Sequence, residues 1–122
     1  MIGYVTLGTN DLKRGAAFYD ALLAEIGARR FIDNERMVGW GTKPGAPMLA
    51  IAIPYDLKKA TAGNGTMIAL NVGNAEAVKK MHAKAMSLGG KDEGAPGPRG
   101  DGGFHGGYFR DLDGNKIVAY CM

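Results

Sequence analysis

Few side chains in this 122-residue sequence are suited to acid-base, nucleophilic or metal chemistry. His82 lies within a predicted helix beside an apolar stripe, so we expect a partly buried helix residue. His105 follows a glycine-rich segment, where an exposed loop histidine is commoner than a general base or ligand contact. Cys121, the single cysteine, falls on the predicted helix-packed side of the last strand, which favours a small buried side chain over a nucleophile. One histidine cannot make a metal site by itself.

The glycine-rich segment from Glu93 to Gly103 has the Gly-x-x-Gly spacing that is found in some phosphate-binding loops. Such a loop needs a helix directly after it and a Lys-Ser/Thr signature. A strand is predicted to follow here, and the signature is missing. Two interpretations stay open: a lid that offers Arg99 to an anionic group, or a plain connector, which we favour.

Composition favours one globular domain. A chain of this length buries about two thirds of its unfolded surface, and no apolar run approaches the ~20 residues of a membrane span. The net charge of +3 comes from 15 basic and 12 acidic residues spread along the chain, without the basic stripe typical of nucleic-acid binders. The N-terminus does not resemble a signal peptide. We therefore expect a cytoplasmic protein with no nucleic-acid or membrane partner.

The C-terminal segment from Gly107 to Met122 has the pattern of a β-hairpin. Its turn, Asp113-Gly114-Asn115, contains the residue types that tolerate positive φ. Alternation in the second arm predicts one face packed on a helix and one face turned to a concavity. The residues predicted for the concave face are Lys116, Val118 and Tyr120.

The same order of elements occurs twice. In the first module, residues 1–54, a strand at 1–8 precedes a helix between the N-cap Asp11 and Gly27, and three short strands follow within 30–53. After a polar linker at 54–66, the second module, residues 66–122, begins again with a strand at 67–72.

The two copies align at the N-cap residues and at the glycines that end their helices. In the second module a helix runs from Asn74 to Gly90, and the final strands lie at 104–110 and 116–121. A shift of 63 positions superposes the first strand and helix, and a shift of 69 superposes the last strands. These shifts place Tyr4 on Met67, Trp40 on Phe109, and Leu49 on Val118. Two modules of strand, helix and three strands define an α+β fold with two sheets around a cavity.

The segments Tyr4–Leu12, Ala17–Tyr19 and Phe109–Asn115, together with the duplication, resemble the vicinal oxygen chelate superfamily. It includes glyoxalase I, bleomycin-resistance proteins, fosfomycin-resistance proteins and extradiol dioxygenases. The resemblance extends over the whole chain and implies a single glyoxalase-like domain, 1–122, with two βαβββ modules. It also implies a homodimer. The reaction is not implied, because the superfamily hosts many chemistries on one scaffold.

Metal-binding members usually carry His or a carboxylate on the first and last strands of each module. The resemblance transfers these positions to Tyr4, Leu49, Met67 and Val118. None is a donor that zinc, iron, manganese or nickel accepts. We therefore expect no metal cofactor at these positions. Tyr4 itself either donates its hydroxyl to a ligand or fills the space a metal would occupy.

An apolar cavity with a few polar groups suits a small organic ligand. Thr6 and Asn71 are the expected polar contacts. The full set of predicted ligand-binding residues is Tyr4, Thr6, Trp40, Leu49, Met67, Asn71, Tyr108, Val118 and Tyr120.

Two classes of function remain open at this point. The first is a metal-free protein that sequesters an aromatic or hydrophobic small molecule, as bleomycin-resistance proteins do. The second is a lyase, isomerase or dioxygenase of the superfamily that uses other catalytic groups, for which His105, Tyr4 and Arg99 are the candidates. The missing metal ligands favour the first.

Overall fold

The computed structural model describes residues 1–122 and contains the predicted duplication. The elements are β1 (Tyr4–Gly8), α1 (Leu12–Ala24), β2 (Arg29–Asp33), β3 (Met37–Gly41), β4 (Met48–Ala52), β5 (Ile68–Asn71), α2 (Ala75–Ser87), β6 (Lys91–Pro98), β7 (His105–Arg110) and β8 (Lys116–Cys121). Each half is therefore a βαβββ module.

Both helices begin at the predicted caps. The Asp11 carboxylate accepts a hydrogen bond from the backbone N–H of Arg14 at 3.0 Å, and the Asn74 side chain accepts one from Ala77 at 2.8 Å. Each cap satisfies an N–H group that has no partner inside the helix. The helices then present their apolar stripes to the sheets.

Each module forms its own four-stranded sheet. The strand orders are β1-β4-β3-β2 and β5-β8-β7-β6. β1 is parallel to β4 and β5 is parallel to β8, whereas the remaining pairs are antiparallel. β1 and β5 are thus the corresponding edge strands of the two sheets.

The sequence analysis missed β6, which occupies part of the segment assigned to a glycine-rich connector. Its pairing with β7 is irregular between Asp92 and Gly94 and again between Gly94 and Gly97. Glycines, prolines and register shifts hide the alternation by which a strand is recognised. The remaining loop is short, since the backbone N–H of Arg99 donates to the carbonyl of Phe104 at 2.8 Å.

The structure also corrects the alignment of the last strands. Trp40 pairs with Leu49, and its counterpart Phe109 pairs with Ile117. The turn before β4 is therefore one residue longer than the turn before β8. Leu49 corresponds to Ile117, and Ala50 is the residue that corresponds to Val118.

The two modules share one core and are joined by buried polar side chains. A single cluster of buried apolar residues includes Leu22 and Trp40 of the first module and Met81 and Phe109 of the second. No buried side-chain nitrogen or oxygen lacks a hydrogen-bond partner.

Asp111 is the main polar link between the modules. Its carboxylate accepts from the Tyr19 hydroxyl at 2.6 Å, from the backbone N–H groups of Asp113 and Asn115, and from the Asn115 side chain. Asp113 in turn accepts from the Thr9 hydroxyl at 2.6 Å. We call these five residues the Asp111 clasp. It fixes the β7–β8 turn against the end of β1.

The linker at 54–66 is held against the first module. Asn10 donates to the carbonyl of Ala60 at 3.1 Å and accepts from its N–H at 2.8 Å. Ala60 is buried, and a side chain at Gly8 would approach its Cβ to 2.9 Å. The linker therefore packs against the end of β1.

Candidate functional site

Each sheet has one face packed on its helix and one helix-free face. In the first sheet, Trp40 faces α1, because its indole N–H donates to Asp20 at 2.8 Å. Tyr4 and Thr6 alternate with Val5 and Leu7, which pack into or against the core, and so belong to the helix-free face. In the second sheet this face is carried by Ala69, Asn71, Tyr108, Val118 and Tyr120.

The structure contradicts the prediction that Trp40 and Leu49 line the ligand cavity. Trp40 is only 2% exposed and packs on Tyr19 beneath α1. Leu49 lies directly opposite Trp40 and shares its face. The one-residue difference between the turns caused the error for Leu49, because a shift of one position moves a side chain to the other face of a strand. Ala50 takes the place assigned to Leu49.

An apolar groove lies between the edge strands of the two sheets. It has a volume of about 470 Å³. One wall comes from Ile2, Val5 and the segment 47–49, and the other comes from the segment 67–70. Met67 is 42% exposed and Ile2 57% exposed, although both are large hydrophobic residues. Leu49 and Met67 are the two predicted ligand-binding residues that line it.

The helix-free face of the second sheet differs from the groove in being aromatic and positively charged. The Tyr108 ring has the Arg99 guanidinium 5.3 Å and the Lys116 ammonium 5.6 Å from its centroid. Phe104 stacks on Tyr120 with ring centroids 5.1 Å apart. Arg110 donates to Glu93 at 2.7 Å, and this bond lowers the pKa of the Glu93 carboxyl, with a smaller effect from Lys116.

The three candidate catalytic residues do not share one site. The Arg99 guanidinium donates to the carbonyl oxygens of Ala95, Gly97 and Pro98, so it organises its own loop. His105 lies with Lys79 in a depression at α2, on the helix-packed side. Tyr4 is 53% exposed on the helix-free face of the first sheet.

The two remaining reactive side chains are structural. His82 is 9% exposed, and its Nε2 lies 2.9 Å from the Asp92 carboxylate. Cys121 is buried.

The four metal positions transferred by the resemblance carry Tyr4, Ala50, Met67 and Val118 once the alignment is corrected. A phenol, a methyl group, a thioether and an isopropyl group do not form the donor set that a divalent ion requires. No three His, Cys, Asp or Glu side chains come together in a cluster suited to a metal ion. The residues present therefore do not fit the metal of the metal-binding members.

Sequence reasoning placed Lys116 on the concave face but did not name it as a binding residue, and it missed Met48 and Ala50. Lys116 had a signal, because it alternates with Val118 and Tyr120 along β8. The sequence signal for Met48 and Ala50 was weaker, because assigning them to a face of β4 requires the exact length of the β3–β4 turn.

Comparison with known proteins identifies the superfamily to which this fold belongs. The model of the Glyoxalase/Bleomycin resistance protein/Dioxygenase superfamily matches residues 1–119. The chain therefore belongs to this superfamily, as its resemblance implied.

Solved structures agree with this assignment. A glyoxalase/bleomycin resistance protein from Albidiferax ferrireducens T118 is 33% identical, with a TM-score of 0.91 over 100% of this chain and 98% of that one. Hypothetical protein SA1046 from S. aureus is 26% identical, with a TM-score of 0.75 and coverage of 100% and 93%. The fosfomycin resistance protein FosX from Mesorhizobium loti shares the fold at 19% identity and a TM-score of 0.71, with coverage of 100% and 91%. None of the curated proteins compared with the chain matches it.

Neither α1 nor α2 has the length and apolar character that a membrane-crossing helix needs.

Proposed function

We propose that this protein binds a small organic molecule in the groove between its modules and does so without a divalent metal. The observation that carries the proposal is the apolar groove of about 470 Å³, located where the edge strands of the two sheets approach each other. This volume lies within the range of small-molecule sites.

The lining of the groove favours an apolar or aromatic body. Burial of apolar surface contributes about 25 cal/mol per Å², so a ligand that buries ~200 Å² gains about 5 kcal/mol before the costs of association. Two methionines, Met48 and Met67, line the groove from opposite walls. Their unbranched, polarizable side chains adapt to the shape of an aromatic ligand.

Polar contacts for the ligand lie beside the groove. Thr6 and Asn71 are exposed on the helix-free faces of β1 and β5, and Tyr4 adds a hydroxyl group to the same surface. Without imidazole, thiolate or carboxylate ligands at the metal positions, binding depends on shape and on these hydroxyl and amide groups.

The first experiment is a fluorescence titration with N-phenyl-1-naphthylamine, a neutral apolar fluorophore. We expect saturable binding with equal affinity in the presence of a chelator and after incubation with zinc, nickel, manganese or iron. Elemental analysis of the untagged protein, dialysed after that incubation, is expected to show less than one metal per chain.

A matched pair of variants locates the binding. Ala69 lines the groove and is exposed, so Ala69→Phe fills the groove without disturbing the core. Ala83→Phe makes the same change on the exposed side of α2. We expect Ala69→Phe to weaken binding at least tenfold and Ala83→Phe to leave it unchanged.

Other outcomes contradict the proposal in separable ways. Equal affinity in both variants would mean that the dye binds outside the groove. Stoichiometric metal that survives dialysis would overturn the metal-free part and make a metal-dependent enzyme the leading hypothesis. The homodimer stays a prediction, which light scattering after size-exclusion chromatography tests.

A further inference from the structure

We infer that the ligand of the groove carries an anionic group and that Lys116 binds it beside the Tyr108 ring. This inference rests on the proposed function and narrows its ligand to an apolar or aromatic anion.

Lys116 is a cation without a direct ion pair, although its charge contributes to lowering the pKa of Glu93. Its ammonium group forms no ion pair within 4.0 Å, since the salt bridges of the chain involve other residues. It also donates no hydrogen bond to a protein acceptor. The side chain is half-buried, with the nitrogen 5.6 Å from the centroid of the Tyr108 ring. An ammonium group in this position, without a direct partner, gains from a ligand anion.

The surroundings of Lys116 keep the local charge positive. Arg99 and Arg110 lie close by, and Glu93 is the carboxylate paired with Arg110. Both arginines are occupied by hydrogen bonds, Arg99 to backbone carbonyls and Arg110 to Glu93 and to the carbonyl of Gly114. They contribute positive electrostatic potential but have few unoccupied N–H donors. We therefore expect Lys116 to make the direct contact with an anion.

Lys116 is within reach of a molecule in the groove. Ala69 lines the groove, pairs with Val118, and Val118 in turn pairs with Tyr108. Neighbouring strands lie about 4.8 Å apart, so the Tyr108 backbone is about 10 Å from that of Ala69. Lys116 precedes Val118 by two residues on the same face, a distance of about 7 Å along the strand. A ligand of two or three rings spans this interval.

The test uses a pair of fluorophores that share an anilinonaphthalene body. 8-Anilinonaphthalene-1-sulfonate carries a negative charge, and N-phenyl-1-naphthylamine does not. We expect the sulfonate to bind at least fivefold more tightly at low ionic strength, with the advantage shrinking as salt is added. Lys116→Met is expected to weaken sulfonate binding five- to tenfold and to change the affinity of the neutral dye less than twofold.

Two controls separate a specific contact from general attraction. Lys79→Met removes the same charge from the helix-packed side, next to His105, and is expected to leave both affinities unchanged. Lys116→Arg keeps the charge and is expected to retain the preference for the sulfonate. Ala69→Phe is expected to weaken both dyes, which places them in the same groove.

Failure of the inference is distinguishable from failure of the proposed function. The anion contact is refuted if the neutral dye binds in the groove but the sulfonate binds no more tightly, or if Lys116→Met weakens the binding of both dyes equally. In either case, small-molecule binding in the groove is still supported. If neither dye binds, both proposals are overturned.

Discussion

At the residue scale, the hydroxyl group of Tyr19 makes the stability of the fold depend on pH. It is 1% exposed, and its hydroxyl donates to the Asp111 carboxylate across the junction of the modules. Burial raises the pKa of Tyr19 well above its usual value, and the charge of Asp111 adds to this effect. Ionisation would place a phenolate against a carboxylate in a buried site, so the folded chain retains the proton.

This arrangement predicts a loss of stability in alkali that depends on Tyr19. The folded pKa is raised, so the stabilising effect is complete below the unfolded value of about 10 and is lost as the pH rises through the folded value. In that window the unfolded chain releases a proton that the folded chain keeps, and stability falls by about 1.4 kcal/mol per pH unit.

Chemical denaturation of wild type and Tyr19→Phe between pH 7 and 11 measures the effect. At pH 7 we expect the variant to be less stable by about 2 kcal/mol, because it lacks one hydrogen bond to a charged group. Above pH 10 the difference should shrink. Stability curves that stay parallel to pH 11 would contradict the role of this hydroxyl.

At the scale of elements, two adjacent glycines are needed at the end of α2 for different reasons. Gly89 adopts a φ of +94°, the left-handed conformation that ends many helices. Gly90 has an ordinary φ, but an added Cβ would lie 2.8 Å from the Ala85 carbonyl oxygen and 2.9 Å from that of Arg110. The sequence analysis named Gly90 as the helix stop, whereas its main constraint is the close approach of β7.

Gly90→Ala is therefore expected to destabilise the protein although alanine suits most backbones better than glycine. Both clashing atoms belong to the backbone, so relief requires α2 or β7 to move, at a cost of about 2 kcal/mol. Gly102→Ala is the control, because its position has open space and an ordinary φ. Thermal or urea unfolding compares the two variants, and equal stabilities would refute the close-packing argument.

At the scale of the whole molecule, the Asp111 clasp and the shared core make the two modules one unit. Four hydrogen bonds converge on the Asp111 carboxylate, and one of them comes from the other module. The buried apolar cluster also crosses the junction. The groove lies between the edge strands of the two modules, so we expect it to be lost if this junction opens.

We expect Asp111→Ala to lower stability by about 3 kcal/mol, because the substitution leaves several buried donors without an acceptor. Asp101→Ala, an exposed change in the β6–β7 loop, serves as the control. Unfolding should remain a single transition when followed by Trp40 fluorescence in the first module and by amide exchange of Ile117–Ala119 in the second. Separate transitions in the wild type would show that the modules fold independently.

Much of this organisation follows from local sequence signals. The caps Asp11 and Asn74 and the final hairpin are confirmed, since each depends on residues near one another in the chain. The duplication is confirmed as well, because the same local signals occur in the same order in both halves. The exceptions have physical causes. Glycine, proline and bulges conceal β6, and the difference in turn length hides which residue of β4 shares a face with Tyr4.

By itself the sequence determined the superfamily and the two βαβββ modules. Only the tertiary structure decided that Trp40 and Leu49 face α1, that Arg99 is occupied by its own loop and that Lys116 stands without a direct ion pair. Periodicity along a strand fixes the alternation of side chains, but the choice of face and the partners of a charge depend on contacts between residues far apart in the chain.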